Sequence, residues 1–100
     1  MKPLFYVMFF GMLLVPGGNT LAGDVAAGKA KSATCAGCHG TAGISNNPLW
    51  PNLAGQQPGY LVKQLQAFRE GRRTDPLMGP MAKPLSDEDI SNLAAWYSSL

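Results

Sequence analysis

Cys35-Ala-Gly-Cys38-His39 places two thiols three positions apart and follows them at once with an imidazole. A thioredoxin-like redox pair uses the same Cys-x-x-Cys spacing beside a β-α-β unit, but no strand-like alternation of apolar and polar residues occurs anywhere in this chain. A structural zinc ion needs four ligands. These are the only two cysteines, and His39 is the only histidine. A plain disulfide suits an exported protein yet leaves His39 without a role. Cys-x-x-Cys-His is also the attachment signature of c-type haem. Thiols at this spacing, beside a helix end, can each form a thioether to a vinyl group along one porphyrin edge, and the next residue is then carried under the iron. That reading uses all three side chains.

Upstream of the motif, Lys2 precedes an apolar run from Leu4 to Val15, a Pro16-Gly17-Gly18 break, and small residues at Thr20 and Ala22. This is the layout of an export signal cut after Ala22, which sends the protein to the periplasm. About a dozen apolar residues fall short of the roughly 20 that span a bilayer. Export is therefore expected, with an uncleaved tether as the alternative. Residues 1–22 are assigned to the signal and 23–100 to one domain, with no stable membrane insertion after cleavage. A domain this small rarely gains more than a few kcal/mol from an apolar core alone and needs a staple. The whole chain has eight Lys plus Arg against six Asp plus Glu. Without Lys2 the balance is nearly even, so the basic stripe of a nucleic-acid binder is absent.

Within the domain, Asp24 is a good cap for an alanine- and lysine-rich helix over Asp24–Thr34. Residues 40–59 hold Gly40, Gly43, Pro48, Pro51, Gly55, Pro58 and Gly59, and read as one long loop. Loops of that length are uncommon in compact domains unless they wrap something. Leu61, Leu65 and Phe68 then share one face of a helix over Tyr60–Arg69 that Gly71 stops. Residues 71–85, with Pro76, Gly79, Pro80 and Pro84, are expected to be irregular. Ser86-Asp-Glu-Asp89 is a capping-box pattern, and Ile90, Leu93, Ala94 and Tyr97 line one face of a last helix. The expectation is an all-α fold of three main helices and two long Gly/Pro-rich loops around one covalent haem.

His39 is the only available nitrogen ligand for iron. Methionine is the usual partner of His in electron-carrying haem proteins. With Met1, Met8 and Met12 in the signal, Met78 and Met81 are the candidates.

Six blocks lie in order along the domain: Cys35-Ala-Gly-Cys-His-Gly40, Pro51-Asn-Leu-Ala-Gly-Gln56, Tyr60-Leu-Val-Lys-Gln-Leu65, Phe68-Arg-Glu-Gly-Arg72, Asp75-Pro-Leu-Met-Gly-Pro-Met81 and Leu85-Ser-Asp-Glu-Asp-Ile90. Together they resemble the small bacterial class I c-type cytochromes, nearest to the c4 group and its single-haem relatives. The resemblance implies a cytochrome c fold with one haem c on Cys35 and Cys38, and with His39 and a methionine as axial ligands to its iron. By its spacing from Leu85 it points to Met78 as that methionine and leaves Met81 as a packing residue. It also implies that the Pro51 carbonyl, rather than that of Pro48, accepts from the His39 ring, and that Gly28 meets Trp96 or Tyr97 where the first and last helices cross. With both axial positions filled, iron offers no place to a substrate. The resemblance therefore implies a periplasmic one-electron carrier rather than an enzyme, partnered by redox proteins. A permanently bound cytochrome subunit of a periplasmic flavoprotein or dehydrogenase is the alternative. Lys63, Arg69, Arg72 and Arg73 form either a positive face that steers an acidic partner or an ordinary solvated surface.

Overall fold

The computed structural model describes residues 2–4 and 23–100, so the stretch expected as an export signal, apart from residues 2–4, lies outside the described residues. Among the described residues there are helices and no strands. The stretch expected as one first helix divides into α1 (Val25–Lys31) and a 3-10 turn (Ser32–Thr34), and a further helical turn, α2 (Ala36–His39), follows beyond it. Asp24 caps α1, its side chain accepting from the Ala27 N–H at 3.0 Å. The Ser32 hydroxyl donates back to the Lys29 carbonyl at 2.6 Å. Such back-bonding bends a helix, and here the backbone tightens and restarts as the single turn that holds the Cys-x-x-Cys-His motif.

α3 (Pro58–Glu70) begins two residues earlier than the apolar spacing indicated. Pro58 stands in its first turn, where no N–H is needed. It ends at Gly71, whose φ of 77° is the left-handed cap that glycine adopts without penalty. α4 (Met78–Ala82) forms inside the stretch expected to be irregular. Pro80 is tolerated as its third residue because first-turn N–H groups have no intrahelical partner to lose. α5 (Asp87–Ser98) opens with the full capping box: the Ser86 hydroxyl accepts from the Asp89 N–H at 3.0 Å, and the Asp89 carboxylate accepts from the Ser86 N–H at 3.1 Å.

α5 is the centre of the packing, crossing α1 and lying against α3, while α4 packs on α3. Leu61, Ala82, Leu85, Ile90, Leu93, Ala94 and Tyr97 form one buried cluster. Ile90 and Leu93, almost fully buried, contribute about 1.5–3 kcal/mol each. The α1/α5 crossing is close because Gly28 has no side chain. A Cβ there would stand 2.9 Å from the Trp96 Cβ and nearer still to the Asn92 carbonyl. Trp96 is thus the aromatic at this crossing, and Tyr97 turns instead toward Gly43. The Asp24 N–H donates to the Asn92 side-chain oxygen at 2.8 Å and ties the start of α1 to the same seam.

Candidate cofactor site

The turn of α2 carries the two cysteines and the histidine. The His39 N–H bonds the Cys35 carbonyl at 3.0 Å, which sets the two thiols one turn apart. Cys35 packs against the core, Cys38 is exposed, and their sulfurs are not joined. Among the described residues no three His, Cys, Asp or Glu side chains converge as a metal-binding group, so Cys35, Cys38 and His39 do not form a zinc cage.

His39 is buried, and its Nδ1 donates to the Pro51 carbonyl at 2.7 Å. That bond fixes the ring and leaves Nε2 as the nitrogen with a free lone pair. The carbonyl arrives there because the 40–59 segment is knitted together. Leu53 and Ala54 N–H groups both donate to the Gly43 carbonyl, at 2.8 and 3.0 Å. The Ser45 N–H reaches the Asn52 side chain at 2.7 Å, and the Gly55 N–H anchors the segment to α5 at the Tyr97 carbonyl, 2.9 Å away. The long breaker-rich loop is a built support for one hydrogen bond to His39.

Met78 is the first residue of α4 and half-buried, whereas Met81 is 43% exposed. Asp75, a residue that sequence reasoning passed over, organises this turn. Its Oδ1 accepts from the N–H of Leu77 at 2.8 Å and of Met78 at 2.9 Å. The Met78 N–H, then that of Leu77, holds the Asp75 carboxyl below the usual range, with Arg73 adding to the effect and burial opposing it. The signal was present as an Asp-Pro pair, which favours turn initiation.

These donors fit a covalent haem. Two free thiols share one face of a turn, the next residue is a buried imidazole with Nε2 available, and a thioether stands on a separate helix. The surroundings agree. The Tyr97 hydroxyl is buried beside Cys35. Burial first, and then the neighbouring Cys35, push the Tyr97 hydroxyl above the usual phenol range. The same segments that carry Pro51 and Met78 leave Ile44, Leu49, Leu77 and Met81 exposed.

The basic residues of α3 and its end are largely engaged within the molecule. Arg69 pairs with Asp87 at 2.7 Å and donates to the Leu85 carbonyl at 3.1 Å. Arg72 pairs with Glu70, and Arg73 lies over the Phe68 ring at 4.5 Å and bonds Gln64 at 2.7 Å. Asp87 and Glu70 thus offset the charge of Arg69 and Arg72, whereas Arg73 keeps its positive charge. Among the described residues, no helix is long and apolar enough to cross a membrane.

Residues 25–100 match the family model described as Cytochrome c. The chain is 52% identical over 81 residues to cytochrome c-554(548) of Halomonas halodenitrificans, covering 78% of this chain and 98% of that protein. It is 38% identical over 73 residues to the cytochrome subunit of sulfide dehydrogenase from Chlorobaculum tepidum, covering 73% and 66% respectively. The crystal structure of reduced cytochrome c4 from Pseudomonas stutzeri superposes with a TM-score of 0.74 at 44% identity, over 78% of this chain and 46% of that one. The chain thus spans nearly all of one relative and less than half of the c4 chain.

Proposed function

The chain belongs to the cytochrome c family, and on that premise we propose that it moves single electrons in the periplasm through a haem ligated by His39 and Met78. It has a cytochrome c fold, it is an electron carrier and not an enzyme, and its Cys-x-x-Cys-His cysteines imply a covalent haem c. Bound there, the iron supplies a one-electron couple between its ferrous and ferric states.

The residues of the chain divide the remaining work. Cys35 and Cys38 hold the group by two thioethers. Pro51, through the 2.7 Å bond to Nδ1, orients His39 and increases its electron donation, and this contact is the observation that carries the reading. A methionine ligand favours the reduced state and raises the potential. His39 and Met78 together would close the bound group to small outside ligands. Residues 1–22 act as the export signal, and the donor and acceptor are redox proteins. A second reading, a cytochrome that stays bound to a redox enzyme, is favoured by the relative that is a subunit of sulfide dehydrogenase.

The purified haem-loaded protein should titrate as a single reversible one-electron couple, and its ferrous form should leave carbon monoxide unbound at neutral pH. Ready binding of carbon monoxide would overturn the closed-site reading. Gel filtration of the native protein separates the two roles, since the carrier elutes alone and the subunit with its enzyme.

A further inference from the structure

We infer that Asp75 is a positioning residue for the axial thioether: it holds the backbone of the Met78 turn and so keeps iron closed to outside ligands. The inference rests on the assignment of Met78 as the axial ligand. At the entry to α4 the backbone donors are those of Leu77, Met78 and Gly79, since Pro80 has none. All of these go to one residue. The Leu77 and Met78 N–H groups bond Asp75 Oδ1 at 2.8 and 2.9 Å, and the Gly79 N–H bonds the Asp75 carbonyl at 3.0 Å.

Little else fixes this turn. α4 has five residues, too few to persist as an isolated helix. Ala82, fully buried in the core, pins its far end, while Leu77 and Met81 are more than 40% exposed. The near end, where Met78 stands, depends on the Asp75 side chain. Removing that side chain leaves two donors to water and lets the turn fray at the residue that must reach iron.

The haem-loaded Asp75→Ala, Asp75→Asn, Met78→Ala and Ser86→Ala variants test this. The readouts are the rate at which the ferrous protein takes up carbon monoxide and the thioether-to-iron absorption of the ferric protein. Uptake requires Met78 to be off the iron, so its rate follows the population of the detached form. Loss of a capping side chain of this kind shifts such an equilibrium by about fivefold. Asp75→Ala should therefore bind carbon monoxide about five times faster than the parent, and Asp75→Asn, which keeps an acceptor at Oδ1, should stay closer to it. Ser86→Ala removes a cap from α5 and leaves the Met78 turn intact, so it should weaken the fold without changing the rate. Parent-like uptake in Asp75→Ala, or equal acceleration in Ser86→Ala, overturns the proposal. Met78→Ala separates this from the underlying assignment: if it retains the thioether absorption, the ligand assignment is the part that fails.

Discussion

Gly28→Ala sets a local preference against a tertiary contact. Alanine is about 1 kcal/mol better than glycine inside a helix, and α1 is a short helix that would benefit. The added Cβ, however, would lie 2.9 Å from the Trp96 Cβ and closer to the Asn92 carbonyl, where ordinary carbon contacts are about 3.5–4.0 Å. Neither neighbour is the flexible tip of a long side chain, so α1 must move off α5. Overpacking of this kind costs typically about 1–3 kcal/mol. The shift also strains the 2.8 Å bond from the Asp24 N–H to Asn92 on the same seam, a hydrogen bond worth about 1 kcal/mol. The tertiary cost exceeds the helical gain, leaving a net loss of about 1–3 kcal/mol. In a domain of this size each kcal/mol lowers the melting temperature by about 4–8 °C. Denaturant unfolding of the haem-loaded protein, followed by far-ultraviolet circular dichroism and haem absorbance, measures it. A variant as stable as the parent, or more stable, would refute the crossing argument.

Ser86→Ala removes the N-cap of α5 and should cost about 1 kcal/mol in the same assay. The Asp89 carboxyl is held below its ordinary value, first by the Ser86 N–H and also by Lys31. Its contribution is complete above the unfolded value of about 3.9 and is lost as pH falls through the lower folded value. Melting temperature should thus be insensitive to this group at neutral pH and fall below about pH 4, and Asp89→Asn should flatten that acid limb. The double variant Cys35→Ala, Cys38→Ala, without thioethers, should be largely unfolded by circular dichroism, because so small a core needs its staple; a compact helical apoprotein would contradict this.

The helical faces were legible because apolar spacing reports burial directly. Leu61 is buried, with Leu65 and Phe68 packed against the core, and all four of Ile90, Leu93, Ala94 and Tyr97 are buried. The capping box at Ser86 was equally plain. The break in the first helix was not, since it depends on one serine hydroxyl turning back to Lys29, which composition does not reveal. α4 was hidden by Pro80 and Gly79, residues that stop a helix in its interior but are harmless in a first turn. Asp75 escaped for the same reason: a cap has meaning only once a helix follows it. The paired arginines escaped because charge can be counted along a chain whereas partners cannot; Arg69 and Asp87 lie on different elements.

Electron transfer as proposed depends on iron held by His39 and Met78. The most direct test compares the ferric haem-loaded Met78→Ala and Met81→Ala variants by the thioether-to-iron absorption band. The band should vanish in Met78→Ala and persist in Met81→Ala. Its persistence in Met78→Ala, or its loss in Met81→Ala alone, would contradict ligation by Met78.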